Sequence, residues 1–136
     1  MKNVLLFGTF DILHEGHKYI FKQLNELGYN IIISLARDEV VKRLKTKEPV
    51  NKFANRKKAL ENTGLIKKVI KGDEKQGKFS KILAVNPDVI AVGYDQNELQ
   101  KAIKKWMTIN NKNIPIIKMQ SYNPKVYKSS LLRNKI

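Results

Sequence analysis

Short apolar runs alternate with amphipathic segments along this chain, and this alternation predicts the order of its elements. Runs rich in Val, Ile and Leu predict buried strands at residues 2–7, 30–35, 69–70, 88–92 and 114–119. Apolar residues three or four positions apart predict helices at residues 16–27, 39–45, 56–63, 79–85, 98–107 and 129–135. Asp38 is expected to cap the second of these helices.

The strands show no alternation of apolar and polar positions, which indicates that both of their faces are covered. Such strands, separated by helices, are typical of a parallel sheet with helices on either side. The sequence therefore predicts one α/β domain over residues 1–136, a doubly wound, Rossmann-like parallel sheet of about five strands. Ligands of such sheets bind outside the carboxyl ends of the strands, so the residues that follow each strand are the candidate site.

The composition excludes several classes of site. The 136 residues contain no cysteine, which excludes a disulfide framework, a cysteine-ligated metal centre and a thiol nucleophile. No apolar run approaches the roughly 20 residues of a membrane-spanning helix. The first residues also lack the pattern of a secretory signal. We therefore expect a cytoplasmic protein without a membrane partner.

Charge is the unusual feature of the composition. Lys and Arg number 27 against 12 Asp and Glu, which gives a formal net charge of +15. Such a balance can indicate a nucleic-acid partner. However, 23 of the basic residues are Lys, spread along the chain, whereas phosphate recognition favours the bidentate fork of Arg. We interpret the charge as a solvated surface without a nucleic-acid partner, and keep a non-catalytic nucleic-acid-binding module as the hypothesis of a different class.

Candidate chemistry is concentrated directly after the first predicted strand. Residues 8–17 read GTFDILHEGH, so that His14 and His17 lie at the start of the first helix. The N-terminus of a helix presents free N–H groups and binds anions. Two imidazoles beside those groups can donate hydrogen bonds to charge that develops on phosphate oxygens in a transition state. Both histidines of the chain fall here, which favours a triphosphate site over a pair of helix caps.

The segment GTFDILHEGH resembles the H-x-G-H signature of the cytidylyltransferase-like nucleotidyltransferases. Three further segments are similar to the V-A-R-D, G-Y-D-Q and Y-K-S-S-x-x-R sequences of the archaeal FAD synthase branch, namely SLARD at 34–38, GYDQ at 93–96 and YKSSLLR at 127–133. The resemblance covers nearly the whole chain. It implies a reaction in which an acceptor phosphate attacks the α-phosphorus of a nucleoside triphosphate and pyrophosphate leaves.

The resemblance, together with position at the sheet edge, gives the expected site. The expected catalytic residues are His14, His17, Lys45 and Ser130. The expected nucleotide-binding residues are Gly8, Thr9, Phe10, His14, Glu15, Gly16, His17, Asp95, Tyr122, Ser129 and Ser130. The expected acceptor-binding residues are Asp11, Lys45, Lys47 and Arg56. No protein metal site is expected, because Mg²⁺ would arrive with the triphosphate, held mainly by phosphate oxygens and water.

Two substrate pairs stay open. ATP with FMN, giving FAD, is favoured because three segments match the flavin branch. A flavin ring also needs an apolar or aromatic wall, which Phe10, Tyr122 and Tyr127 would supply. CTP with glycerol 3-phosphate is the alternative, since the bacterial glycerol-3-phosphate cytidylyltransferases are similar but more distant. The resemblance also implies a homodimer.

Overall fold

The computed structural model describes residues 2–75 and 77–120, and their backbone forms five strands and five helices. The strands are β1 (Lys2–Gly8), β2 (Tyr29–Leu35), β3 (Lys68–Lys71), β4 (Val89–Val92) and β5 (Ile116–Lys118). The helices are α1 (Glu15–Glu26), α2 (Asp38–Lys45), α3 (Phe53–Asn62), α4 (Ser80–Val85) and α5 (Asn97–Ile109). The helix predicted at 129–135 lies outside the described residues.

The five strands form one parallel sheet in the order β3-β2-β1-β4-β5. The longest pairing joins β1 and β2, from Lys2 opposite Tyr29 to Gly8 opposite Leu35. On its other side β1 pairs with β4, so the strand order reverses at β1. A crevice opens at such a reversal, outside the carboxyl ends of the strands, and ligands bind there. The predicted doubly wound parallel sheet is confirmed.

The two faces of the sheet carry separate hydrophobic clusters. Successive strand residues point to opposite faces, so Leu5 belongs to one cluster while Val4 and Leu6 belong to the other. The cluster of Val4 and Leu6 packs against α1 and α3. The cluster of Leu5 packs against α4 and α5, whose buried side chains include Trp106. The helices thus cover both faces, as the absence of alternation in the strands predicted.

Asp38 plays a different part from the predicted helix cap. The second helix begins at Asp38 itself, and Arg37 occupies the capping position without a side-chain hydrogen bond. The Asp38 carboxylate instead accepts a hydrogen bond from Arg56 Nη2 at 2.7 Å and one from the backbone N–H of Phe53, the first residue of α3. Burial opposes the charge on Asp38, but these hydrogen bonds outweigh it and lower the pKa of the carboxyl group.

The Arg56 guanidinium forms hydrogen bonds to three loop segments at the carboxyl edge of the sheet. Its side chain has 0 % exposure. Nη1 donates to the carbonyl oxygens of Thr9 at 2.9 Å and Ala36 at 2.8 Å, just after β1 and β2. Nε donates to the carbonyl oxygen of Asn51, just before α3, at 3.0 Å. Arg56 therefore fixes the backbone on which the site is built.

Removal of this guanidinium should destabilise the fold strongly. Arg56→Ala leaves three backbone carbonyls without their donor and removes the cation that pairs with Asp38, and we expect the free energy of unfolding to fall by about 3–5 kcal/mol. Lys58→Ala is the matched control, because Lys58 lies exposed on the same helix, and it should change stability by less than about 0.5 kcal/mol. Urea unfolding of the three proteins measures both values. Equal stabilities for the two variants would contradict the role of Arg56.

Candidate active site

Two cavities open at the carboxyl edge of the sheet, one on either side of the end of β1. The first, of about 780 Å³, lies over β1 and β4 and includes His14, His17 and Lys45. The second, of about 640 Å³, lies over β1, β2 and β3 and includes Ser34 and Gly72. The backbone at residues 7–9 borders both cavities. Ligands in the two cavities would therefore meet at the end of β1.

The two histidines form a reciprocal cap at the start of α1. The N–H of Gly16 donates to His14 Nδ1 at 3.1 Å, and the N–H of His14 donates to His17 Nδ1 at 3.2 Å. The imidazole rings are stacked, with their centroids 3.8 Å apart. Because each Nδ1 accepts a hydrogen bond, each neutral ring carries its proton on Nε2. The histidines thus cap the helix with one nitrogen and offer the other as a donor to a ligand.

His17 is neutral at physiological pH. Burial, the largest cause, and the neighbouring His14 together lower the pKa of its imidazole from 6.5 to about 4, against the opposing effect of Asp95. A neutral imidazole still donates one hydrogen bond from Nε2. A bound polyanion would favour the charged form of His17 and so raise this pKa.

The Phe10 ring explains the glycine that ends β1. A side chain at Gly8 would place its Cβ 2.5 Å from Phe10 Cε2, so the ring occupies the space that the glycine leaves. Phe10 has a φ of 47°, a left-handed value that costs a non-glycine residue energy. Its ring packs edge-on to His17, with the centroids 5.1 Å apart. Phe10 therefore supports the histidines from the first cavity and takes no part in lining the second.

Glu15 borders the first cavity with its carboxylate in an ion pair. Glu15 Oε2 lies 3.6 Å from Lys18 Nζ, one turn along α1, and 72 % of the Glu15 side chain is exposed. The lysine reduces the repulsion that this carboxylate would exert on a triphosphate.

The lysine pair separates in the structure. Lys45, in the last turn of α2, reaches the first cavity beside the histidines. Lys47 is exposed and borders neither cavity. Thr46, which lies between the two lysines, ends α2 with a φ of 57° and turns the chain there. Just after Lys47, the Glu48 carboxylate pairs with Lys42 Nζ at 3.1 Å. The structure thus brings one of the two lysines to the histidines.

Asp11 and Arg56 hold loops rather than face a cavity. The Asp11 carboxylate accepts hydrogen bonds from the backbone N–H groups of Val50 and Asn51, both at 2.8 Å. The bond from Asn51 is the largest of the causes that lower the pKa of the Asp11 carboxyl group. The Arg56 side chain is fully buried, which differs from the predicted contact with an acceptor. In this geometry both residues position the segments around the site.

The Gln96 side chain links the end of β4 to the end of β1 by two hydrogen bonds. Its Oε1 accepts from the N–H of Gly93 at 2.6 Å, and its Nε2 donates to the carbonyl oxygen of Phe7 at 3.4 Å. Gln96 borders both cavities, whereas Asp95 borders the first alone. The GYDQ segment therefore links β4 to β1 in addition to supplying the predicted carboxylate.

Several residues around the cavities were not predicted from the sequence. Met119 borders the first cavity, and Lys75, Phe79 and Leu99 border the second. Both Lys75 and Phe79 follow β3, but β3 holds only two apolar residues and is therefore a weak signal in the sequence. Tyr122, Tyr127, Ser129 and Ser130 lie outside the described residues and stay predictions.

The described residues 2–75 and 77–120 hold neither a cluster of metal-binding side chains nor a membrane-spanning helix. Within these ranges no three His, Asp or Glu side chains gather where they could hold a metal ion. No helix in the same ranges has the length and apolar character needed to cross a membrane.

The fold and the histidine pair define a Rossmann-like nucleotidyltransferase, and comparison with known proteins agrees with this class. The model of the cytidylyltransferase-like family matches residues 5–135, and the chain belongs to this family. An FAD synthase of Thermococcus sibiricus is 34 % identical over 130 residues, which span 95 % of this chain and 88 % of that protein. An FAD synthase of Thermococcus kodakarensis is 33 % identical over 126 residues, which span 93 % of this chain and 82 % of that protein.

Solved structures share the same fold. The crystal structure of a lipopolysaccharide core biosynthesis protein from Thermoplasma volcanium superposes with a TM-score of 0.80 at 27 % identity, over 90 % of this chain and 99 % of that one. A protein of unknown function from Archaeoglobus fulgidus superposes with a TM-score of 0.67, also at 27 % identity, over 88 % of this chain and 89 % of that one. The predicted fold, family and enzyme class are therefore confirmed.

The two functions of each histidine can be separated by substitution. His14→Asn keeps an acceptor that caps α1 but removes the Nε2–H donor, so turnover should fall roughly 10²-fold or more with little change in melting temperature. His14→Gln extends an amide N–H toward the position of Nε2 and should retain more activity than the Asn variant. The same pair at His17 should behave alike. Wild-type turnover in the Asn variants would remove the histidines from the mechanism.

Because the pKa of His17 is low, the free energy of unfolding should fall as the pH falls. Below pH 6.5 the unfolded chain binds a proton that the folded site takes up only near pH 4. Stability present above pH 6.5 is therefore lost as the pH falls from 6.5 to about 4. Titration by NMR should give His17 a pKa near 4, and His17→Gln, which cannot titrate, should lose less stability over this window. Equal losses would contradict the shift.

Proposed function

We propose that this chain is an FAD synthase that transfers the adenylyl group of ATP to FMN. The observation that carries the proposal is the similarity to proteins named FAD synthase, six of which are 30–34 % identical over 90–95 % of this chain. The two adjoining cavities support it, since each has the size of a site for a nucleotide-sized ligand.

We assign the triphosphate to the first cavity. Lys45 supplies a positive charge there, and the Nε2–H groups of His14 and His17 supply hydrogen-bond donors. An oxygen of the FMN phosphate attacks the α-phosphorus of ATP, the bond from that phosphorus to the bridging oxygen breaks, and pyrophosphate leaves. These donors stabilise the charge that grows on the phosphate oxygens. No covalent intermediate with the protein is needed.

We assign the flavin to the second cavity. Its wall contains seven apolar side chains, those of Phe7, Ala36, Val40, Leu44, Phe79, Leu99 and Ala102. Leu44 is 53 % exposed, and a flat ring in this cavity would cover it. A glycerol phosphate would leave this wall in water. The wall is supplied by residues other than Phe10, which faces the first cavity.

Mg²⁺ accompanies the triphosphate in this proposal. Near the histidines, the Asp11 carboxylate is engaged by two backbone N–H groups and the Glu15 carboxylate pairs with Lys18. This agrees with a metal ion held mainly by phosphate oxygens and water. A homodimer and a cytoplasmic location remain predictions from the sequence.

A direct assay distinguishes the candidate functions. Purified protein is incubated with ATP, FMN and Mg²⁺, or with CTP, glycerol 3-phosphate and Mg²⁺, and products are separated by chromatography. We expect FAD to form faster than the CDP derivative, with pyrophosphate released in equal amount. The His14→Asn variant is the control for contaminating activity. CDP-glycerol without FAD would overturn the flavin assignment.

The same preparation tests the nucleic-acid-binding hypothesis. Affinity for random duplex DNA at physiological salt should be no tighter than the roughly 10⁻⁴–10⁻⁶ M of non-specific binding. Tight, sequence-selective binding together with no product from either substrate pair would favour the non-catalytic module.

A further inference from the structure

The connection between β3 and α4 carries two of the side chains that border the second cavity. We call residues 72–75 and 77–79 the β3–α4 loop. Lys75 and Phe79 both face the cavity from this loop. Phe79 has a φ of 50° and packs edge-on to Phe7, with the ring centroids 5.4 Å apart. The position of this loop therefore determines the shape of the second cavity.

Arg37 fixes the start of this loop to the end of β2. Arg37 Nε donates to the carbonyl oxygen of Gly72 at 2.8 Å, and the N–H of Gly72 donates to the carbonyl oxygen of Leu35 at 2.8 Å. Arg37 Nη1 also lies 3.7 Å from Glu74 Oε1. The arginine is 27 % exposed, so these contacts are partly shielded from water.

Two further contacts complete the attachment of the loop. Arg43, one and a half turns along α2, donates a hydrogen bond to the carbonyl oxygen of Glu74. At the far end, the Asp73 carboxylate accepts hydrogen bonds from the N–H, at 2.8 Å, and the hydroxyl of Ser80, the first residue of α4. The loop is thus held by both neighbouring helices.

We propose that Arg37 is a positioning residue for the acceptor, one that sets flavin affinity without touching the flavin. This inference rests on the proposed function. By holding Gly72 and Glu74, Arg37 keeps Phe79 against the apolar part of the ring and Lys75 where its ammonium group can donate to a ring carbonyl. A planar guanidinium binds a carbonyl and a carboxylate at once, whereas a lysine ammonium is a point charge on a flexible stem.

The experiment compares Arg37→Ala and Arg37→Lys with Glu39→Gln as the matched control. Glu39 Oε2 lies 3.8 Å from Arg37 Nη1 but is 60 % exposed and borders neither cavity, so this variant removes a surface ion pair and leaves the loop attached. FMN affinity is measured from flavin fluorescence, and KM is measured separately for FMN and ATP. Circular dichroism confirms that each variant is folded.

Arg37→Ala should raise the Kd and the KM for FMN about tenfold or more, the effect of losing a charge-assisted hydrogen bond. Its kcat and its KM for ATP should stay within about twofold, a split that general destabilisation would not produce. Arg37→Lys should recover part of the affinity, and Glu39→Gln should match the wild type. If Arg37→Ala does not fold, Arg37→Lys carries the test and should show the same selective loss of FMN affinity to a smaller extent.

Wild-type FMN affinity in Arg37→Ala, or equal losses for FMN and ATP, would overturn this inference while FAD synthesis by the wild-type protein still supports the proposed function. A wild-type protein that forms no FAD and binds no FMN would overturn both.

Discussion

The buried guanidinium of Arg56 is the contact on which the site depends. Carbonyl groups at the ends of β1 and β2 and before α3 have no partner in the sheet or the helices, and a buried polar group without a partner is costly. Arg56 donates to one carbonyl from each of these segments and pairs with Asp38. The histidines follow the first segment, and Lys45 comes between the second and the third. The catalytic geometry therefore follows from satisfying the backbone.

The other arginines in the described part of the chain also bind backbone carbonyls. Arg37, Arg43 and Arg56 each donate to at least one main-chain carbonyl, and a lysine, Lys45, supplies the cation in the first cavity. The argument from composition linked phosphate recognition with arginine, because its fork matches phosphate oxygens. In this fold the fork instead matches carbonyls of adjacent loops. A basic chain that contains few arginines can therefore still bind phosphate groups, provided that lysines and imidazoles supply the donors.

The parts of the fold that the sequence predicted correctly are those that depend on residues close together in the chain. The apolar runs of β1, β2 and β4 and the histidines of α1 are local patterns, and the structure has them as expected. Arg56 reaches a carbonyl 47 residues away, and Arg37 reaches one 35 residues away. No spacing in the sequence reports such contacts. Gly8 is a different case, because the ring that fills the place of its side chain is only two residues away. The left-handed φ of Phe10 puts the ring there, and a non-glycine residue gives no sign of such a φ in the sequence.

The two cavities differ in the same way, because local contacts shape the first and long-range contacts shape the second. In the first, the reciprocal cap between His14 and His17 involves four consecutive residues, so a short motif is enough to specify the orientation of its donors. In the second, the wall comes from α2, α5 and the β3–α4 loop, which meet only through long-range contacts. A chain can change the second set without disturbing the first, because the two meet only near the end of β1 and at Gln96. Under the proposed function, phosphate chemistry is encoded locally, while the choice of acceptor depends on how the loops are held.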